Sequence, residues 1–341
     1  MENKDTLQPL VSKKYMAFAG LGATAFWWMM LLRAYFGSFF ITDVLMLPAS
    51  VYALAGTVQS LMGFFVAPVV GMIVDNGKQG KLGKYRKWLL IGPALYSAFY
   101  ILCFLPVSTN VAVMTVYITI VWALTQATYS TVITPYYALH AAIARTPGER
   151  TGYVSKRNFW VNVGKLVYSA CYLSVIGFFA SVFGGQVWGY TCTAILISVL
   201  NVLMFFCEFM AIGNAEAKLI AENGGEETPA VKAKKKGPNI LDLFKNIATN
   251  LPFGLVCINQ FGFSFCASIR STIYVYYYNS VIGNPEMYAL HLSLAGIMGI
   301  LATLALPQLA KFLENKHPSS LLGEHWYSAC QARCPPCPSP R

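Results

Sequence analysis

Arg33, Lys165 and Arg270 are the basic residues that lie well within long apolar runs of this chain. On insertion scales a charge at the centre of a membrane helix costs about 2.5–3.5 kcal/mol, so each is by default a candidate for handling a polar ligand. Lys165 shares a helical face with Arg157, eight residues earlier, and with Asn158. Plainer readings stand beside these. Arg33 could snorkel or pair with Asp43, although ten residues of helix separate the two by about 15 Å. Lys165 could serve topology alone, with equal weight, whereas the depth of Arg270 favours a cavity.

Aromatic residues accompany these cations: Trp27, Trp28, Trp122, Tyr136, Tyr137 and Tyr277 are the candidates for a cavity wall. A sugar presents apolar CH faces and many hydroxyls, so a ring beside a basic donor suits it. The expected binding set is therefore Trp27, Tyr136, Tyr137, Arg157, Lys165, Arg270 and Tyr277, with most other aromatics left to packing. With basic donors present, an anionic sugar such as a uronide fits as well as a neutral glycoside. Glu208 reads as a solvated residue at headgroup level. His140 reads as a helix-end cap. No Ser-His-Asp order, phosphate loop, metal-ligand cluster or haem motif occurs in the apolar body, so neither an enzyme, a cofactor nor a metal is expected.

The elements that must position these residues follow from composition. Of 341 residues, 56% are hydrophobic and 11% charged, against about 25% charged in a soluble domain. That difference excludes a soluble enzyme or a disordered chain and predicts an all-α integral membrane protein. A span needs roughly 20 apolar residues, and the runs near 15–42, 49–74, 88–107, 111–143, 159–183, 187–212, 251–278 and 288–309 suffice. Six of the nine cysteines fall inside these runs, where they act as small hydrophobes.

The net charge of +11 is distributed as topology, not as a nucleic-acid-binding face. Basic residues precede the first run, follow the eighth, and occupy the connections after the second, fourth and sixth. The opposite connections hold none. The positive-inside rule then predicts a multi-pass protein of the plasma (inner) membrane with a cytoplasmic N-terminus, touching anionic lipid headgroups. Residues 214–246 are polar and rich in Gly, Glu and Lys. They divide a six-helix bundle (1–213) from two further helices (247–315), and a Cys/Pro-rich tail (316–341) follows.

Between the second and third runs, Gly71, Asp75, Gly83, Lys84 and Arg86 form a Gly-x-x-x-Asp and Gly-Lys-x-Arg pattern. Its glycines allow a tight turn, and Asp75 could pair with loop cations or face a helix N-terminus as a cytoplasmic gate. This loop, with the order of six helices, long linker and more helices, resembles the major facilitator superfamily, a bundle of internally repeated halves. Finer motifs resemble the glycoside–pentoside–hexuronide:cation symporters, the family of the melibiose carrier. They are Gly83 to Gly92, Phe39 to Val44, Thr134 to Leu139, Glu149 to Thr151 with Arg157, and Tyr276 to Gly283. The resemblance implies a secondary transporter of a sugar-like solute working by alternating access.

The departures are as informative. Where the family's helix two carries the carboxylates of a sodium or proton site, ungapped counting places Gly63, Val66 and Ala67. Trp27 and Ile133 stand where the family has aspartates on helices one and four. A hard cation wants several oxygen ligands, so sodium coupling by the usual site is not expected, and the coupling ion is left open. The resemblance also implies about four more helices. The change of character after Glu314 is that of a truncated or shifted reading, with a zinc tail of His325 and the late cysteines as the lesser alternative. Other readings of the whole are a non-transporting membrane fragment, scaffold or sensor, and a lysolipid carrier.

Overall fold

The computed structural model describes residues 18–77, 83–144, 147–213, 215, 251–284 and 286–316. The expected linker, Ala215 excepted, and the tail beyond Lys316 lie outside the described residues. Eight helices are described: α1 Leu21–Phe39, α2 Ala49–Asp75, α3 Trp88–Leu102, α4 Val111–Ile143, α5 Pro147–Phe183, α6 Gln186–Ile212, α7 Leu251–Tyr276 and α8 Glu286–Lys316. Among the described residues, α2, α4, α5 from Gly152 onward, and α6 are long and apolar enough to cross a membrane.

Local chemistry sets the ends. The Asn110 side chain accepts the Ala112 N–H at 2.9 Å and starts α4. Pro147 and Glu149 suit the first turn of α5, so this helix begins about three turns before the apolar run that foretold it. Conversely α3 has 15 residues, fewer than the expected span, because Pro106 bars the helical conformation at Leu105. Both α1 and α7 close in single π turns, Phe40–Val44 and Tyr277–Val281. In the first, the Leu45 N–H reaches the Phe40 carbonyl at 2.9 Å.

In the first six helices, α2 packs on α4, α3 on α4 and α6, and α1 on α5 and α6, while α8 lies along α5. In lipid, apolar surface gives helices no reason to prefer one another, so close backbone approach at small residues does that work. A Cβ on Gly92 would stand 2.8 Å from the Thr131 carbonyl oxygen, which fixes how near α3 comes to α4. The α5–α8 seam runs through Ser169 and Ser293, whose hydroxyls are 2.8 Å apart, with Gly296 against Leu166 and Gly299 against Asn162.

One buried carboxylate joins three helices. Glu208 of α6 is fully buried, which corrects its expected solvation at headgroup level. Its Oε1 accepts the Gly20 N–H at 2.9 Å and its Oε2 the Gly22 N–H at 2.8 Å, at the N-terminal end of α1. The positive end of a helix dipole is a favourable place for an anion. Tyr136 of α4 donates its hydroxyl at 3.1 Å, and His140 Nε2 lies 3.3 Å from Oε1. Nearby, Arg86 lies over the Phe209 ring, 3.9 Å from its centroid, and donates to the Phe209 carbonyl near the end of α6.

Replacing Glu208 by Ala leaves two amides and a hydroxyl without their acceptor, each costing about 1–3 kcal/mol. Thermal unfolding in detergent micelles should show a large loss of stability for Glu208→Ala. Glu208→Gln, which keeps one carbonyl acceptor, should fall between the two. Unchanged melting of Glu208→Ala would refute the staple.

Candidate solute site

The inward face of α5 carries two cations, each seated on an aromatic ring from another helix. The Arg157 guanidinium lies 4.4 Å from the ring centroid of Tyr137 on α4, and Lys165 Nζ lies 5.1 Å from that of Trp27 on α1. Such contacts attract through the ring quadrupole, most strongly where water is excluded. The scaffold behind them is tight. Trp28 Nε1 donates to the Gly164 carbonyl at 2.7 Å, and the Thr24 hydroxyl donates to the Trp160 carbonyl at 3.2 Å. A side chain at Gly164 would run into Thr24, and one at Gly20 would run into the Arg157 backbone. Gly20, with φ of 107°, also takes a left-handed conformation that disfavours other residues.

Among the described residues, no carboxylate forms an ion pair with Arg157 or Lys165; the ion pair found there is His140 with Glu208. Arg33 is also unpaired in this sense. It is buried, its Nη1 has no hydrogen-bond partner, and its guanidinium lies 6.0 Å from the Trp122 ring centroid. Asp43 does not reach it: that side chain is exposed and accepts the Thr42 hydroxyl instead. The face thus offers positive charge and aromatic surface with, among the described residues, no carboxylate in ion-pair contact, which suits a solute carrying an anion.

Other expected residues fall elsewhere. Tyr136 points into the bundle and its hydroxyl is spent on Glu208, while Tyr137 is 42% exposed; neighbours on a helix point about 100° apart, so the two cannot share a face. Tyr277 sits in the π turn that closes α7, packed edge-on to Tyr278. Arg270 of α7 is exposed. In the loop pattern, Gly83 has φ of 85° and Lys84 and Arg86 are buried. Asp75 is exposed, with the Tyr85 hydroxyl at 3.5 Å. Gly71 has open space at its Cβ.

At the place of the missing carboxylates, the chain has a neutral arrangement. Gly63 leaves room for Gln126, whose Nε2 would lie 3.1 Å from a Cβ there, and Gln59 donates to Gln126 Oε1 at 3.1 Å. Amides at this position carry no charge to bind or release with a cation.

The chain matches the family described as "MFS/sugar transport protein" over residues 18–320. It is 28% identical over 72% of its length to the "Putative 2,3-dihydroxypropane-1-sulfonate exporter" of Escherichia coli (strain K12), covering 51% of that protein. It is 24% identical over 73% of its length to the "Putative sulfoquinovose importer" of the same organism, covering 50%. To the "Lactose permease" of Leuconostoc lactis it is 22% identical over 74% of its length, covering 39%. The chain thus spans about half the length, or less, of these curated relatives.

A buried guanidinium without a counter-ion is a cost to the ligand-free fold. Arg33→Met should therefore raise the melting temperature, by up to the equivalent of about 3 kcal/mol. A fall would show that Arg33 has a structural partner.

Proposed function

We propose that this chain, which belongs to the MFS/sugar transport protein family, serves the secondary transport of a sugar-sized anionic solute by alternating access. The observation that carries this reading is the pair of ring-seated cations, Arg157 and Lys165, without carboxylate partners among the described residues. Two of the relatives bear names that refer to sulfonated solutes, and a sulfonate or carboxylate on a sugar-like body fits the same cations. The rings of Trp27 and Tyr137 offer faces to CH groups, and the basic groups offer charge-assisted hydrogen bonds to the anion.

In this reading the six-helix bundle and the helices after the linker rock about a site near the midplane, with the Gly71–Arg86 loop on the cytoplasmic side as a gate. The plasma (inner) membrane location and cytoplasmic N-terminus belong to the same proposal, supported by the placement of basic residues in alternate connections. Those residues also suit contact with anionic lipid headgroups. Sodium coupling by the usual site is not part of it, since the neutral Gln59–Gln126 amides stand where the resemblance implies carboxylates.

Proteoliposomes containing the chain should exchange labelled methyl glucuronide for unlabelled solute, at the same rate with sodium and with potassium as the sole cation. Exchange that requires sodium would contradict the coupling argument. No exchange under any cation would overturn transport by this chain.

A further inference from the structure

His140 stands in the last turn of α4, and binding of the solute alone gives it no task. Its ring is buried, and neither nitrogen has a hydrogen-bond partner among the described residues. Its surroundings suit positive charge. Glu208 Oε1 lies 3.3 Å from His140 Nε2, and the carbonyls at the C-terminal end of α4 form the negative end of that helix's dipole. The Tyr153 ring of α5 is stacked on the imidazole, with centroids 5.6 Å apart and planes 16° from parallel, and the Tyr136 ring stands edge-on at 4.5 Å. An aromatic face attracts a cation. The other charged groups on the packed elements are Glu149 and Arg157, one turn to either side of Tyr153 on α5, and Arg86, bound to the Phe209 carbonyl beside Glu208. From α1 come the Gly20 and Gly22 amides.

We propose that His140 and Glu208 form a proton site linked to the anion site, so that a proton and the solute bind together. This rests on the transport reading above and deepens it by naming a co-bound ion and its place. That place is not the α2 position where the resemblance implies carboxylates. The proton comes from water, adds to the imidazole nitrogen that carries none, and later returns to water; no other bond changes. It turns the contact with Glu208 into an ion pair. Burial that bars a solute does not bar a proton, which needs only a brief local opening of a helix end. The link to the solute is electrostatic first. Arg157 stands one turn from Tyr153, about 6 Å of helix rise, so its charge opposes a proton on His140. An anion seated on Arg157 offsets that charge, and by reciprocity the bound proton strengthens the hold on the anion. The second link is a contact. Glu208 Oε1, which an imidazolium would draw, also holds the Gly20 amide, and a Cβ on Gly20 would stand 2.4 Å from the Arg157 Cα.

The test uses the full chain in weakly buffered lipid nanodiscs with a pH-indicator dye, mixed with methyl glucuronide at several pH values between about 5 and 8. Equilibrium dialysis of the labelled compound gives its affinity at each pH. Solute binding should take up protons, and affinity should fall about tenfold from the acid to the alkaline end. His140→Gln, which keeps a polar group but carries no proton, should bind the solute without proton uptake and equally at every pH. His140→Lys, a fixed cation, should also show no uptake but keep the acid-end affinity throughout. His291→Gln, which removes the histidine of α8, should behave as the unaltered chain does. Thermal melting checks that each variant is folded. Solute binding without proton uptake, or uptake that persists in the folded His140 variants, would overturn the proton site and leave the transport reading standing. Loss of uptake in His291→Gln would place the proton elsewhere and overturn it as well. If the unaltered chain binds no methyl glucuronide at any pH, the proton site and the reading beneath it fail together.

Discussion

The arrangement depends on a single carboxylate being fully satisfied away from water. Glu208 brings negative charge to the positive end of α1, takes the Tyr136 hydroxyl from α4 and stands beside His140. Removing a carboxylate from water costs several kcal/mol, and only a complete set of donors repays it. The consequence is positional. With its first turn anchored to α6, α1 lies where Trp28 reaches the Gly164 carbonyl and Trp27 receives Lys165.

The cations present the opposite case. Arg157 and Lys165 rest on ring faces, and Arg33 is buried with an unpartnered nitrogen. Ring quadrupoles offset part of a charge's desolvation without neutralising it. The bundle therefore satisfies its buried anion internally and, among the described residues, leaves Arg157 and Lys165 without a carboxylate partner. With amides rather than carboxylates between α2 and α4, the proposed reading is of an anion as cargo.

Much of this was legible in the sequence, and what was not has a physical reason. Apolar runs of span length marked every helix, and the depth of Lys165 within its run marked it as a candidate. Glu208 was misread because Phe205, Phe206, Phe209 and Met210 around it look the same whether a carboxylate faces headgroups or interior. Its partners at Gly20 and Gly22 are backbone amides more than 180 positions away, invisible to any spacing rule. Tyr136 and Tyr137 could not be told apart in a helix apolar on every side, since no polar stripe reports which face is inward. A tyrosine-lined cavity at the π-turn end of the bundle was equally hidden, because it draws on four helices and on the π turn after α7, which no residue pattern announced.

The most direct measurement of the central claim compares two solutes differing at one ring carbon, a carboxylate in one and a hydroxymethyl in the other. Their exchange rates would be measured in the same proteoliposomes without any ion gradient. Charge-assisted hydrogen bonds to unpaired cations should favour the carboxylate by about tenfold or more. Equal rates, or a preference for the neutral sugar, would contradict the account that Arg157 and Lys165 await an anion.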